Sequence, residues 1–163
     1  MAETTINVNK NLSLEETYKS LIPQVKSLLV KEDELISSLA NFTAALKQTF
    51  DKISWVGFYL FDGEKLYLGP FQGKTACTAI EIGKGVCGTA VLMEETVIVP
   101  DVNDFPGHIA CDPDAKSEIV VPIMKEARLI GVLDLDSSSL DAFDETDQKY
   151  LEELCQHLAD EFF

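Results

Sequence analysis

The sequence predicts an α+β domain in which helices flank one central antiparallel sheet. Two observations carry this prediction: apolar stripes of helical period open and close the chain, and the middle is a series of β-branched and aromatic segments joined mostly by hairpin-length turns. With 163 residues, 46% of them hydrophobic, there is enough chain for one sizeable core and not for two domains.

The elements follow in order. Ser13 with Glu16 three residues later is a capping box, and Leu14, Tyr18, Leu21, Ile22, Val25, Leu28 and Leu29 then recur at helical spacing. Pro23 lies inside that pattern and predicts a kink or break, after which the stripe resumes through Leu35, Leu39, Phe42 and Leu46. This helical segment covers about 13–50. From about 53 to 137 the sheet and a pocket are expected. "ISWVGFYLF" and "KLYLGPF" flank Asp62-Gly63, a strong hairpin signal. Alternation puts Trp55, Gly57 and Tyr59 on one face and Val56, Phe58 and Leu60 on the other. "ACTAIEIG" reads as a further strand, "GKGVCGTAVLMEE" as a glycine turn opening a short helix, and "TVIVPDV" as a strand. A loop containing Cys111 leads to "EIVVPIM", which the turn at "KEAR" pairs with "RLIGVLDLDS". The last helix, about 144–161, is capped by Asp144 and buries Leu151, Leu154, Cys155, Leu158 and Phe162. The pocket is expected on the sheet side that the terminal helices leave uncovered.

A net charge of −15 makes nucleic acid and anionic membranes unsuitable partners, since both would be repelled. The first residues lack the basic start and apolar run of a signal peptide, and nothing approaches a bilayer-spanning length, so a cytoplasmic protein is expected. Four cysteines in a reducing compartment then point to transient, chemical pairing.

In "RLIGVLDLDS" the residues Ile130, Val132, Asp134 and Asp136 share one side, and Leu129, Leu133 and Leu135 the other. Residues two apart on a strand are about 6.6 Å apart, a spacing that suits opposite ends of a small polar ligand. If the "KEAR" turn sets the register, Glu118 falls near Asp134 and Asp136, and three converging carboxyls would raise at least one pKa. Among the thiols, Cys155 fits an apolar stripe. Cys87 is placed in a helix's first turn, which favours the thiolate, while Cys111 gains access and mobility from its loop. Zinc on Cys77, Cys87, Cys111 and His108 is not expected, because only His108 and Cys111 approach the usual close-pair spacing. His108 alone reads as a loop residue bonded to backbone, and His157 as solvated. The amides of Val86, Cys87 and Gly88 at a helix start could cradle an anion such as a carboxylate.

"WVGFYL", "LGPFQGK.AC", "GVCGTA", "VPDV..FPGHIACD", "SEIVVP" and "GVLDLDS" closely resemble the free methionine-(R)-sulfoxide reductases, which are stand-alone GAF domains. The resemblance implies a GAF-like fold and a thioredoxin-recycled reduction of free L-methionine (R)-sulfoxide to methionine, with no bound cofactor or metal. It implies Cys111 as nucleophile, Cys87 being the alternative, with Cys77 and Cys87 as recycling partners. Their order stays open. It places catalytic or substrate-binding acids at Glu118, Asp134 and Asp136, and aromatic pocket walls at Trp55 and Tyr59. It also implies a homodimer. The rival readings are a non-catalytic GAF module that binds a small effector, and a redox sensor that signals without turnover.

Overall fold

The computed structural model describes residues 5–109 and 111–163. Helix α1 (Leu14–Leu28) starts in the expected capping box: the Glu16 amide donates to Ser13 Oγ at 3.2 Å, and the Ser13 amide donates to Glu16 Oε2 at 3.3 Å. Pro23 neither stops nor ends it. The helix runs five residues further, and the break comes in the stretch before α2 (Leu35–Thr49). Pro23 sits on the exposed side of α1, where water can reach the Lys19 carbonyl that it leaves without a helical donor, while Leu21, Ile22, Val25 and Leu28 hold the opposite side in the core.

Strand β1 (Trp55–Phe61) turns into β2 (Lys65–Gln72) at Asp62-Gly63, where Asp62 Oδ1 accepts the Glu64 and Lys65 amides. The third strand is shorter than its sequence suggests: β3 is Ala79–Glu81, which leaves Cys77 in the preceding loop. Helix α3 (Gly85–Met93), β4 (Val97–Val99), the hairpin of β5 (Ser117–Lys125) and β6 (Arg128–Ser137), and helix α4 (Glu145–Phe162) complete the chain. The sheet order is β3-β2-β1-β6-β5-β4, and every neighbouring pair is antiparallel.

The two faces of the sheet carry separate cores. Helices α1, α2 and α4 close one around Tyr18, Leu21, Phe42, Phe58, Leu133 and Leu154. The other gathers Trp55, Tyr59, Val86, Cys87, Val120 and Val132 beneath α3 and its flanking loops. The alternation read from β1 therefore holds. In β6 it holds from Val132 onward but fails at the start. Ile130 packs with the helical core and Leu129 with the other, because a β-bulge interrupts the ladder: Ile123 pairs with Gly131 and Met124 with Leu129, leaving Ile130 unopposed. An extra residue on one strand flips the parity beyond it. None of the described helices is long and apolar enough to cross a membrane.

Candidate active site

The β5–β6 hairpin brings the acids together. Its tight turn uses Glu126 at φ 55°, and the register that follows sets Glu118 directly opposite Asp136 and Val120 opposite Asp134. Strand β1 lies on the other side of β6, with Trp55 opposite Asp136 and Gly57 opposite Asp134. All these side chains rise from the same sheet face toward α3. Gly57 has a steric reason: a Cβ there would lie 3.0 Å from Trp55 Cζ2, so the indole can fold over the strand only above a glycine.

The indole is fixed from its edge, where Trp55 Nε1 donates to the Lys74 carbonyl at 3.0 Å, and it stacks on Phe71 and Tyr59 with ring centres 5.4 and 6.1 Å away. Tyr59 Oη donates to the Cys77 carbonyl at 3.0 Å. The two aromatics thus wall the pocket and also pin the loop that carries Cys77.

Cys77 is bonded to Cys111. The disulfide joins the loop before β3 to the loop before β5 across a Cα separation of 5.6 Å. Beside it Lys74 forms ion pairs with Asp112 and Asp114, which link the same two loops at the surface. Behind the disulfide lie two adjoining spaces. One is bounded by Val86, Cys87, His108, Cys111, Glu118 and Asp134, the other by Trp55, Tyr59, Cys111, Asp112, Asp134 and Asp136. They hold about 30 and about 20 Å³ respectively, on the order of one water each. In the disulfide form the site is therefore filled largely by its own side chains and is too small for an amino acid. A larger hollow of about 420 Å³ opens beside α4, but it lies on the other side of the sheet, away from the paired cysteines and converging acids.

Burial governs the electrostatics. Glu118 is pushed up to about 8, first by loss of water and then by the charge of Asp136. Asp134 and Asp136 are raised well above the ordinary carboxylate range, again by burial first, with Glu118 acting on Asp134 and Asp134 on Asp136. At neutral pH at least one of the three carries a proton. Asp134 Oδ1 has no hydrogen-bond partner.

Cys87 departs from its expectation. It does stand in the first turn of α3, but burial and the nearby Asp134 and Glu118 raise its thiol well above the usual value. The helix terminus offers a fraction of a charge, and the loss of solvent outweighs it. Cys155 is buried in α4 and is likewise pushed up by burial, as its apolar stripe implies. Of the three amides singled out for an anion, those of Val86 and Cys87 belong to the helix's unpaired leading turn, whereas the Gly88 amide already donates to the Lys84 carbonyl at 3.0 Å. Gly88 is therefore removed from that cradle. Gly85, just ahead of it, is required for another reason: it sits at φ 61°, and a Cβ there would lie 3.0 Å from the Ile109 side chain.

His108 is the residue whose role the sequence concealed. Its Nε2 lies 3.6 Å from Glu118 Oε2, both are largely buried, and burial lowers its pKa so that the imidazole is neutral at pH 7. The loop that carries it is tied at its start to the residue before β5, the Val102 amide donating to the Lys116 carbonyl at 2.9 Å.

This chain matches the GAF domain family over residues 32–161. GAF domain-containing protein A of Dictyostelium discoideum is 56% identical over 147 residues, which span 90% of this chain and 92% of that protein. The free methionine-R-sulfoxide reductase of Saccharomyces cerevisiae is 43% identical over 159 residues, 93% of this chain and 88% of that protein. The X-ray structure of the free methionine-R-sulfoxide reductase from Neisseria meningitidis in complex with its substrate is 45% identical, covers 97% of this chain and 96% of that one, and superposes with a TM-score of 0.91.

Proposed function

The chain belongs to the GAF-domain family, and within it to the free methionine-(R)-sulfoxide reductases; from that premise we propose a mechanism in which Cys111 takes the oxygen from free L-methionine (R)-sulfoxide and Cys77 resolves the product. One observation carries this assignment. The Cys77–Cys111 disulfide places Cys111 on the border of the spaces lined by Glu118, Asp134 and Asp136, which is the end state such a reaction would leave.

In the reduced protein the Cys111 thiolate attacks the sulfoxide sulfur. The oxygen accepts one proton from the acid cluster, with Glu118 the donor and Asp136 beside it; the substrate S–O bond breaks as the oxygen passes to Cys111 as a sulfenic acid, and methionine leaves. The Cys77 thiol then attacks the sulfenic sulfur, water is released, and the disulfide forms. The two electrons given to the sulfoxide are those lost by the two thiols. Thioredoxin restores the dithiol by exchange, in a reducing cytoplasm.

Each end of the substrate has a complementary group. Asp134 suits the ammonium, the Val86 and Cys87 amides suit the carboxylate, and Trp55 and Tyr59 suit the side chain and its methyl group. A methionine sulfoxide within a polypeptide has amides in place of both charges, so the buried acid would gain no counter-ion. Selectivity for the free amino acid follows. Because each space in the disulfide form has room for about one water, the substrate binds only after reduction.

Thioredoxin, its reductase and NADPH supplied with each epimer of free methionine sulfoxide test the reading. NADPH loss with the R epimer alone is expected. Tight binding of either epimer without NADPH loss would favour a sensor module and overturn the enzyme. The homodimer that the family resemblance implies is checked by sedimentation of the reduced and oxidised protein.

A further inference from the structure

Cys87 has no evident part in the disulfide chemistry, yet it lies at the centre of the acid cluster. Its Sγ and carboxylate oxygens of Glu118 and Asp134 all fall within 4.8 Å of one another, and all three residues are buried. His108 adds an imidazole nitrogen from the facing loop, 3.6 Å from Glu118. These four side chains line one space of about 30 Å³. Asp134 Oδ1, buried and unpartnered, belongs to the same cluster and marks a place for a cationic partner, which the substrate ammonium fills in turnover and a metal ion can fill in its absence.

We propose that Cys87, His108, Glu118 and Asp134 form a binding site for one zinc-class divalent cation in the disulfide form of this protein. Bonds of about 2.0–2.3 Å around a tetrahedral ion put donors roughly 3.3–3.8 Å apart, so small side-chain rotations bring Cys87, Glu118 and Asp134 into range, and His108, already 3.6 Å from Glu118, completes the set by turning toward the other two. The donors select the ion. A thiolate and an imidazole beside two carboxylates suit zinc or cobalt, whereas calcium and magnesium call for oxygen alone. The set differs from the one weighed on spacing, because Cys77 and Cys111 bind each other and are unavailable as ligands.

Binding of the ion needs no turnover and stands apart from the reductase reading. The consequence for activity does rest on that reading: Glu118 and Asp134 would be shared, so ion and substrate would exclude one another.

The test uses the full-length disulfide form, in which Cys87 and Cys155 are the only free thiols. Cobalt(II) alone is titrated in, and thiolate-to-cobalt charge-transfer absorption is followed. One equivalent is expected to produce the band, zinc to bleach it, Cys87→Ser to abolish it and Cys155→Ser to leave it intact. The near-isosteric Asp134→Asn variant, which keeps the thiol, should weaken cobalt affinity at least tenfold. No band on the native disulfide form, a band that Cys87→Ser leaves unchanged, or an unchanged affinity in Asp134→Asn overturns the site.

Discussion

The two faces of the sheet bury polar groups in opposite ways. On the helical face Asp147 is wholly inaccessible and completely satisfied. Its carboxylate accepts from Tyr18 Oη at 2.6 Å, from Lys52 Nζ at 2.7 and 2.8 Å, and from the Asp144 amide at 3.0 Å. Lys52 also donates to the Ala142 carbonyl and lies 5.1 Å above the Phe143 ring. On the pocket face Glu118, Asp134 and Asp136 share a cavity with a neutral histidine and a raised thiol; Lys84 borders the same space, yet among the described residues none of the three carboxyls forms an ion pair with a lysine or arginine. A buried charge is tolerated when every lone pair has a donor; left uncompensated, it shifts its pKa and costs stability. One face thus fastens α1 and α4 to the rest, and the other stores an unmet demand for cations and hydrogen-bond donors that a zwitterionic substrate can answer.

The largest expected effect separates chemistry from scaffold. Cys111→Ser should lower turnover roughly a thousandfold or more, while the melting of its reduced form stays within about 0.5 kcal/mol of the reduced parent. The NADPH-coupled assay and thermal unfolding under reductant read the two quantities. Turnover near the parent rate would remove Cys111 as nucleophile.

Next comes the satisfied face. Asp147→Ala strands Lys52 and Tyr18 and removes the reciprocal half of the α4 capping box, and since Lys52 is partly solvated we expect a loss of about 2–4 kcal/mol. Denaturant unfolding measures it. Activity of the folded fraction should be unchanged, because no residue of this network lines the pocket.

How much of this was legible depends on how far apart the cooperating residues lie in sequence. The Glu118–Asp136 juxtaposition could be read because a short turn fixes the register of a hairpin, and the faces of β1 could be read from alternation alone. The bulge at Ile130 could not, since an inserted residue has no signature in a strand that is apolar on both faces. Spacing did not say whether Cys77 or Cys87 partners Cys111. That choice depends on two loops meeting across the sheet, with Tyr59 holding one of them. His108 and the Asp147 network stayed hidden for the same reason: their partners are brought in by tertiary packing. The thiol of Cys87 was misjudged because a helix terminus is visible in sequence and burial beneath a loop is not.

A substitution on the unsatisfied face should do the reverse of Asp147→Ala. In the folded protein Glu118 holds its proton up to about 8, whereas in the unfolded chain it releases it near 4.5, so the folded state binds more protons between these values and stability falls as pH rises through them. The penalty is absent below pH 4.5 and complete above about 8. Glu118→Gln should therefore stabilise by about 1–3 kcal/mol at pH 8.5, have little effect on stability near pH 4, and lower turnover. Unfolding free energies at the two pH values test the sign. A destabilised variant at pH 8.5 would mean that Glu118 is compensated in the folded state.

The smallest effect probes where the two faces' logics meet, in a polar group that is satisfied yet borders the reactive cavity. Tyr59 Oη makes one hydrogen bond, to the carbonyl of Cys77, and the ring itself stays packed against Trp55. Tyr59→Phe removes the bond and keeps the packing. Losing one neutral hydrogen bond is worth about 0.5–1.5 kcal/mol, and here it falls on the position of the Cys77 loop rather than on the acids. Disulfide closure after one equivalent of substrate should then slow by roughly two- to tenfold, while the first step, release of methionine from the reduced protein, keeps its rate. Rapid quench with mass mapping of the Cys77–Cys111 peptide separates the steps. If methionine release slowed and disulfide closure did not, Tyr59 would be acting on the substrate, and the loop-pinning role would fall.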